Sequence, residues 1–256
     1  MIKKVVIAAA GQGTRMLELS KEKSKHLICI NNKPFLAYLM DNILLAGYIE
    51  ILLVVGFKPE LMAEFKEEYL RCVEKIGINR EKIKIEIINQ HEILGPKDVA
   101  YGTACPIKCA KEFVGNENFL SLAGDNFYSV EDLKSMNIDD NFNYVAGCEN
   151  DHPERFGVLV RDGDYFLEKI IEKPKEFAGN LINISFYKFT PEIFDKVNMI
   201  EKSSRGEYEI TDAVSILAKE RKVKIKKIND FWMDFGRPED VEKMKEIIEN
   251  ANNKNK

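Results

Sequence analysis

The first 16 residues combine an apolar stretch with a glycine-rich turn, and this combination constrains the fold more than any other part of the chain. Residues 5–10 are β-branched residues and alanines without polar alternation, which is typical of a strand covered on both faces. Gly11 and Gly13 follow, and glycine lets the backbone adopt positive φ and approach a ligand closely. Successive amides in such a turn can bind an anion, and Arg15 adds a positively charged fork suited to phosphate oxygens. The stretch predicts an α/β fold with a phosphate-rich ligand at the carboxyl end of the first strand.

Two familiar glycine motifs do not fit this turn. A dinucleotide-binding fingerprint needs a third glycine where Met16 stands, and an acidic residue after the second strand, where the chain has Gly56. A P-loop closes with Gly-Lys-Ser/Thr, whereas Gly13 is followed by Thr14 and Arg15. A purely structural turn with a surface arginine stays open on the turn alone.

Composition indicates an ordinary globular protein that binds neither nucleic acid nor membrane. The chain has 256 residues, a net charge of −4 with both signs interspersed, and 45% hydrophobic residues. No apolar run approaches the roughly 18 residues of a membrane span, and the apolar start is too short for a signal peptide. The five cysteines are an odd number without Cys-x-x-Cys spacing, which favours reduced thiols in the cytoplasm.

The order of predicted elements indicates a parallel sheet that later acquires antiparallel strands. Helical periodicity follows Pro34 and Pro59, a further helix is predicted over 102–113, and the polar stretch 89–101 is an unusually long connection. The first half therefore has β-α-β-α-β-α-β order, which predicts right-handed parallel crossovers. In the second half, residues 162–164 form a hairpin turn between two strands. The predicted strands after the first are 51–55, 83–88, 119–123, 144–149, 156–161, 166–172, 181–189 and 223–228, and the later helices are 191–197, 209–220 and 238–250. We expect one domain over 1–250, with halves 1–128 and 129–250, and a frayed tail over 251–256.

Two aspartates are candidates for a shared metal ion. Asp125 follows the buried strand 119–123 behind a glycine, where a carboxylate could hold a cation at the ligand edge, although a turn or N-cap role stays open. Asp234 lies among apolar residues, where a carboxylate needs a positive partner. Mg²⁺ typically takes one or two carboxylates and completes its octahedron with phosphates and water, so the two could share one Mg²⁺.

The ordered set of short motifs resembles the sugar-1-phosphate nucleotidylyltransferases, a family that includes glucose-1-phosphate thymidylyl- and uridylyltransferases. The similar blocks are found at residues 9–16, 24–27, 32–34, 102–104, 123–126, 155–158, 172–174, 206–213 and 232–240. The resemblance implies a Rossmann-like three-layer sandwich with a mostly parallel central sheet, to which antiparallel additions contribute a sugar-binding lid. It also implies a reaction in which a nucleoside triphosphate, UTP or dTTP, and a sugar 1-phosphate give a nucleotide sugar and pyrophosphate.

The same resemblance assigns roles residue by residue. The backbone at Ala10, Gly11 and Gly13 would lie along the nucleotide, and Arg15 and Lys25 would hold its phosphates. Gln90 would read the pyrimidine edge, helped by the backbone near Gly102. The sugar hydroxyls would be bound by Gly157 and Glu172, the sugar phosphate by Lys173, and the sugar pocket would be lined by Asn183, while Asp125 and Asp234 would hold the Mg²⁺. The attacking phosphate oxygen is already anionic, so none of the three histidines needs to act as a base.

The chain departs from the family pattern at a few positions, and two rival readings stay open. Ser24 stands where proline is usual, Ser185 where glycine is usual, and Arg237 where threonine is common. The rivals are a cytidylyltransferase acting on a non-sugar phosphate and a non-catalytic nucleotide-sugar-binding subunit. The sugar, the choice between UTP and dTTP, and the presence of a homo-oligomer are not fixed by these residues.

Overall fold

The fold is taken from a computed structural model, which describes residues 1–11, 16, 24–163 and 165–254, with side chains through 249. The predicted anion-binding residues Gly13 and Arg15 lie outside the described residues.

Strands and helices alternate in the first half of the chain, and strands dominate the middle. The strands are β1 (Lys4–Ala9), β2 (Cys29–Ile30), β3 (Lys33–Pro34), β4 (Glu50–Val55), β5 (Lys84–Asn89), β6 (Phe119–Ala123), β7 (Asn126–Tyr128), β8 (Asn143–Glu149), β9 (Gly157–Arg161), β10 (Leu167–Glu172), β11 (Leu181–Phe189), β12 (Val223–Lys227) and β13 (Trp232–Asp234). The helices are α1 (Phe35–Leu45), α2 (Pro59–Cys72), α3 (Gln90–Leu94), α4 (Cys105–Cys109), α5 (Lys111–Val114), α6 (Val130–Ser135), α7 (Ile193–Met199), α8 (Ile210–Lys219) and α9 (Asp240–Lys254). Over the described part of the chain, no helix is both long and apolar enough to cross a membrane.

The first half forms the parallel sheet that its element order predicts. Strand β1 pairs in parallel with β4 on one side and β6 on the other, and β4 pairs in parallel with β5. Because these strands all point the same way, the turns after β1, β5 and β6 meet at one edge of the sheet. The residues that follow these strands are therefore the ones that can share a ligand.

The second half continues the same sheet with antiparallel strands. Strand β11 pairs antiparallel with β6, β8 and β9, and β9 pairs antiparallel with β10 in the predicted hairpin. The register of β11 against β8 shifts between Asn183 and Tyr187, which marks a bulge. A separate two-stranded ribbon joins β7 and β13 antiparallel, with Asp234 opposite Asn126. One mixed sheet therefore runs through both halves of the chain.

Two hydrophobic clusters cover the two faces of this sheet. Val5 and Ile7 of β1 belong to one cluster, with apolar residues of α1 and α2, whereas Val6 belongs to the other, with residues of α4, α7 and α8. Alternate residues of a strand point to opposite faces, so a strand without polar alternation is buried on both. The expected three-layer α/β/α sandwich is confirmed.

Three segments differ in detail from the prediction. The polar stretch 89–101 is not entirely a loop, because its first part forms α3; the side chain of Asn89 accepts a hydrogen bond from the His91 amide (3.1 Å) and caps this helix. The helix predicted over 102–113 is interrupted at Ala110 and divides into α4 and α5. The last helix extends to Lys254, beyond the predicted end.

Candidate active site

A cavity of about 170 Å³ lies where β1, β5 and β6 end. It brings together residues from distant parts of the sequence, among them six that the resemblance assigned to the nucleotide and the metal. The lining residues are Ala8, Ala10, Gly11, Lys25, His26, Gln90, Tyr101, Gly102, Thr103, Pro106, Ala123, Asp125 and Glu207.

Lys25 and Asp125 form an ion pair in this cavity. The Lys25 side chain is only 9% exposed, although it carries a charge. Burial alone would raise the pKa of the Asp125 carboxyl. The charge of Lys25 and its hydrogen bond lower this pKa, and His26 and a backbone hydrogen bond lower it further, so the net pKa is below its ordinary value. Asp125 is therefore ionised at neutral pH. The resemblance placed Lys25 on phosphate and Asp125 on metal, and the structure shows that the two also bind each other.

The turn after β6 places this ion pair. The Gly124 amide donates to the Ala8 carbonyl (2.9 Å), which extends the β1–β6 pairing by one residue. A side chain at Gly124 would meet the Ala8 carbonyl at 3.0 Å and the His26 ring at 3.2 Å. Gly124 thus lets β1, the turn and the segment of Lys25 pack closely. The Lys25 side chain also lies against Gly11, where a Cβ would be 3.8 Å from Nζ.

Asp234 is brought next to Asp125 by the β7–β13 ribbon. Asp234 pairs with Asn126, and the amide of Phe235 donates to the Asp125 carbonyl (2.7 Å). Gly236 leaves space beside the Asp234 carboxylate, since a Cβ there would be 3.3 Å from both carboxylate oxygens. Two carboxylates without thiolate or imidazole ligands suit a hard cation such as Mg²⁺. No group of three or more His, Cys, Asp or Glu side chains that could hold a metal occurs among the described residues.

His26 is a buried neutral histidine in the wall of the cavity. It is 1% exposed, and its Nδ1 lies 2.7 Å from the Ser24 hydroxyl. Burial, reinforced by the charge of Lys25, lowers the pKa of His26 to about 3. At neutral pH it is therefore uncharged and, with so low a pKa, a weak proton acceptor.

Gln90 presents an unpaired polar atom at the start of α3. The residue is 1% exposed, and its carbonyl oxygen Oε1 is buried without a hydrogen-bond partner among the described residues. Leaving such an atom unpaired costs about 1–3 kcal/mol, so buried polar atoms of this kind often await a ligand. The position suits the base-reading role that the resemblance assigned.

Gly102 holds the opposite wall of the cavity against Tyr208. The Tyr208 amide donates to the Tyr101 carbonyl (2.8 Å), and the Ala104 amide donates to the Tyr208 carbonyl (2.9 Å). Gly102 lies between these bonds at φ 132°, and a Cβ there would collide with the Tyr208 backbone. Only glycine satisfies both the backbone angle and the close approach.

The sugar-binding candidates form a second group on strands β9, β10 and β11. Gly157 pairs with Glu172, and a Cβ on Gly157 would be 2.9 Å from the Glu172 carboxylate and 3.7 Å from the Asn183 Cβ. Lys173 follows at φ 45°, with its amide donating to the Phe156 carbonyl (2.9 Å). The structure therefore brings all four sugar-binding candidates together.

Asn183 is held in one orientation within this group. Its Nδ2 donates to the Tyr187 hydroxyl (2.7 Å), and its Oδ1 accepts the Ser185 amide (3.1 Å). Ser185 adopts φ 55°, in the left-handed region that favours glycine. The serine that departs from the family pattern thus lies where the backbone itself favours the family's glycine.

Sequence reasoning missed several residues of the cavity wall. Tyr101, Thr103 and Glu207 line the cavity, and Thr103 accepts the Ile210 amide (2.9 Å) at the start of α8. The block 206–213 was part of the resemblance, and this block contains Glu207. That was the signal available, since no local pattern shows that residues 101–104 and 207–210 touch.

Comparison with known proteins defines the class of the chain. Residues 4–251 match the family described as Nucleotidyl transferase, and the chain belongs to this family. Its homologues include sugar-1-phosphate nucleotidylyltransferases.

Two curated relatives illustrate the range of lengths. The chain is 33% identical, over 92% of its length, to a bifunctional sugar-1-phosphate nucleotidylyltransferase/acetyltransferase of Sulfurisphaera tokodaii, of which it covers 53%. It is 28% identical to the UTP–glucose-1-phosphate uridylyltransferase AglF of Haloferax volcanii, over 95% of this chain and 96% of that protein. The chain thus spans about half the length of the bifunctional relatives and nearly all of AglF.

Solved structures agree on the fold. A UDP-glucose pyrophosphorylase complexed with UDP-glucose has a TM-score of 0.80 at 23% identity, with both chains fully covered. A glucose-1-phosphate thymidylyltransferase-like protein of Bacillus anthracis has a TM-score of 0.76 at 22% identity, over 96% of this chain and 95% of that one. At these identities the likeness establishes the architecture alone.

Proposed function

We propose that this protein is a sugar-1-phosphate nucleotidylyltransferase that transfers a nucleotidyl group from UTP or dTTP to a sugar 1-phosphate, with glucose 1-phosphate as the first candidate. The observation that carries the proposal is the cavity at the ends of β1, β5 and β6, where Lys25, Asp125, Gln90 and Gly102 meet. Family membership and relatives named for this reaction support the class of chemistry. Free cysteines and the interspersed surface charge favour a cytoplasmic enzyme acting on small molecules.

The reaction joins two anions, so its main demand is charge neutralisation. An oxygen of the sugar phosphate forms a bond to the α-phosphorus, and the bond from that phosphorus to the oxygen bridging to the β-phosphate breaks. Pyrophosphate leaves with the electron pair. In-line attack of this kind is accelerated chiefly by positioning and by positive charge around the reacting phosphorus. No general base is needed, because the attacking phosphate oxygen is already anionic.

Lys25 and Lys173 are the described cations that we assign to the phosphates, with Arg15 as the third. Lys25 is paired with Asp125. A bound triphosphate offers Lys25 new anionic partners and releases Asp125 for a cation. The pair therefore keeps two buried charges compensated until the substrate exchanges their partners.

Asp125 and Asp234 would hold Mg²⁺, and their all-oxygen donor set fits that ion. When bound, Mg²⁺ would neutralise phosphate charge and orient the oxygens around the reacting phosphorus. The role of this chain is to place Asp234 in the β7–β13 ribbon opposite Asn126, next in sequence to Asp125.

Gln90 is the residue we assign to base selection. Its carbonyl oxygen has no partner among the residues that the structure describes and can accept a hydrogen bond from a ligand. Uracil and thymine present N3–H as a donor on their pairing edge, whereas cytosine presents an acceptor at N3 and its donor at the exocyclic N4. A Gln90 carbonyl oxygen placed opposite N3 would therefore accept a hydrogen bond from uracil or thymine but not from cytosine. This difference favours UTP and dTTP over CTP.

The test is a nucleotide screen with the purified protein. Mg²⁺, glucose 1-phosphate and each nucleoside triphosphate are supplied in turn, and pyrophosphate is measured with and without the sugar phosphate. Release with UTP or dTTP that requires the sugar phosphate is expected. Turnover of CTP with a non-sugar phosphate alone would indicate a cytidylyltransferase. UDP-sugar binding without turnover for any pair would indicate a binding subunit, and both results contradict the proposal.

A further inference from the structure

Tyr128 contacts the bulge of β11 and belongs to β7, the strand that pairs with β13 and its Asp234. Tyr128 in β7 is fully buried, and its hydroxyl donates to the carbonyls of Ile184 (2.9 Å) and Ser185 (3.2 Å). Asn126 points to the same side of β7, and its Nδ2 donates to the Ile184 carbonyl at 3.4 Å. Side chains of β7, the strand that follows Asp125, therefore bind the backbone of β11, the strand that contains Asn183.

The Tyr128 contacts lie at the bulge of β11, where backbone carbonyls leave the regular pairing with β8. Residues 184–186 lie where the β11–β8 register shifts, and Ser185 adopts φ 55° there. Carbonyls at a bulge lose regular ladder partners and need others. Tyr128 supplies those partners from the opposite element. The hydroxyl lies within hydrogen-bond distance of both carbonyls and so ties β7 to β11.

We propose that Tyr128 is a positioning residue that sets the distance between the metal carboxylates and the sugar pocket. At one end of this link are Asp125 and the neighbouring Asp234 of the ribbon, and at the other is Asn183, which lies beside Gly157 and Glu172. The inference rests on the proposed function, because it assigns the two ends to metal and sugar. Its chemical consequence is that Tyr128 places the attacking phosphate oxygen relative to the α-phosphorus without touching either substrate.

A positioning role predicts a particular kinetic signature. Displacement of two bound reactants by about 1 Å can reduce the rate about 10²-fold, while the binding of each reactant to its own half of the site changes little. Tyr128→Phe removes only the hydroxyl. We expect kcat to fall roughly 10- to 100-fold, with the dissociation constant of each substrate changed by less than about threefold.

The chain contains its own reporter for the binding measurements. Trp232 is the single tryptophan, it pairs with Tyr128 across the ribbon, and its ring meets that of Phe156 edge-on at 5.6 Å. Its fluorescence can be followed while Mg²⁺–nucleotide or sugar phosphate is added separately, so that binding is measured without turnover.

The matched control is Tyr48→Phe. Tyr48 is also fully buried and donates to a backbone carbonyl, that of Leu133 (2.8 Å), away from the cavity and the sugar strands. Both variants lose one buried hydroxyl, so both should lose thermal stability, but only Tyr128→Phe should lose kcat. Equal kcat in the two variants, or a loss in Tyr128→Phe that is confined to the KM of one substrate, would overturn the proposal.

Further measurements keep the test decisive if Tyr128→Phe folds poorly or the nucleotide screen fails. Asn126→Ala removes the longer bond to the same carbonyl and should give a smaller kcat loss in the same direction; wild-type kcat in this variant would count against the proposal.

Hydrogen exchange requires no turnover, and removal of either side chain should speed exchange over 181–187 and 124–128 relative to Tyr48→Phe. Unchanged exchange over 181–187 would overturn the link between the strands even where the proposed reaction itself is wrong.

Discussion

The residues proposed for the nucleotide, here called the nucleotide side, and those proposed for the sugar phosphate, here called the sugar side, are built in different ways. On the nucleotide side, the whole residues Lys25 and Gln90 are 7% and 1% exposed, and the backbone around them is closely packed. On the sugar side, Glu172 and Lys173 are exposed, and they are carried by a hairpin at the margin of the sheet. Buried groups cannot change without disturbing the core, whereas exposed groups can. The contrast teaches that, under the proposed function, the phosphate chemistry is built into the buried part and the choice of sugar depends on a more adaptable surface.

Charge follows the same division. The Lys25–Asp125 pair is buried, so the loss of either partner leaves an uncompensated charge. Glu172 lies where solvent can stabilise its charge, and its contact with Gly157 is steric. Substitutions on the nucleotide side should therefore affect folding and turnover together, and those on the sugar side should mainly affect affinity.

The largest effect is expected for Asp125→Asn. The variant keeps the shape of the side chain but removes the charge that pairs with Lys25 and would bind the metal. We expect turnover to fall by about 10³-fold or more, measured as pyrophosphate release at saturating Mg²⁺. Asp139→Asn, at a half-exposed carboxylate bound to the amino terminus, is the matched control and should keep wild-type turnover. Substantial activity in Asp125→Asn would remove this residue from the metal site.

Gly102→Ala tests whether the close contact between Gly102 and the Tyr208 backbone excludes a side chain at position 102. The new methyl group would meet the Tyr208 backbone at a φ that disfavours alanine, so we expect a loss of about 3 kcal/mol or more in the free energy of unfolding, measured with urea. Gly47→Ala is the control, because Gly47 also has positive φ (97°) but nothing within 4 Å of its Cβ position. It should lose about 1 kcal/mol from the backbone angle alone. Equal losses would mean that the contact with Tyr208 adds nothing.

His26→Asn tests the buried nucleotide side through pH. The folded pKa of His26, about 3, is below its ordinary value of 6.5, so the unfolded chain binds a proton that the folded chain does not. Stability from this group is complete above pH 6.5 and is lost as the pH falls toward 3. At pH 4.5 the loss should be about 2–3 kcal/mol relative to pH 7, and His26→Asn should lack it.

The pH measurement compares unfolding free energies at the two pH values for both proteins. His152→Asn, at an exposed histidine, should follow the wild type and serves as the control. A wild type and His26→Asn that lose the same stability between pH 7 and 4.5 would show that His26 is not held neutral by burial.

Tyr187→Phe tests the sugar side. The variant removes the hydroxyl that accepts from Asn183 and leaves the Asn183 amide held only by its bond from the Ser185 amide. We expect the KM for the sugar phosphate to rise about 5- to 10-fold, since one hydrogen bond contributes about 1 kcal/mol, while the KM for the nucleotide stays unchanged. A rise in both KM values would show that the two sides are not separable, and Tyr48→Phe again controls for the loss of a buried hydroxyl.

The sequence predicted the parts of the site that depend on strand ends and motif order. Asp125 was predicted at the ligand edge because it follows a buried strand, and parallel strands bring such ends together. Gln90, Lys25 and Gly102 were assigned only through the resemblance, and the structure brings them into one cavity. What the sequence could not predict are contacts that depend on three-dimensional register. The direct Lys25–Asp125 pair, the Tyr208 contact and the Tyr128 bonds to β11 each join residues far apart in the chain.

Two local details could have been predicted. Asn89, the residue before α3, is a good N-cap residue. It therefore indicated a helix start within 89–101, although the polar composition of this stretch favoured a loop. Ser185 departs from the glycine of the family pattern, and this departure coincides with a left-handed backbone angle. A motif glycine replaced by another residue is thus a usable sign of local backbone strain.

Ser185→Gly is the smallest of the expected effects and tests whether that strain is real. A left-handed angle costs a non-glycine residue about 1–2 kcal/mol, and glycine loses about 0.5–1 kcal/mol through the greater freedom of the unfolded chain. We therefore expect a net stabilisation of about 0.5 kcal/mol, measured with urea. Asn32→Gly is the control, since Asn32 has a similar φ (64°) but asparagine tolerates it. The Ser185 amide and carbonyl keep their bonds to Asn183 and Tyr128 in the variant, so the sugar-phosphate KM should stay unchanged. A raised KM would show that the serine side chain itself belongs to the sugar pocket, and the exposed sugar side would then extend into the bulge.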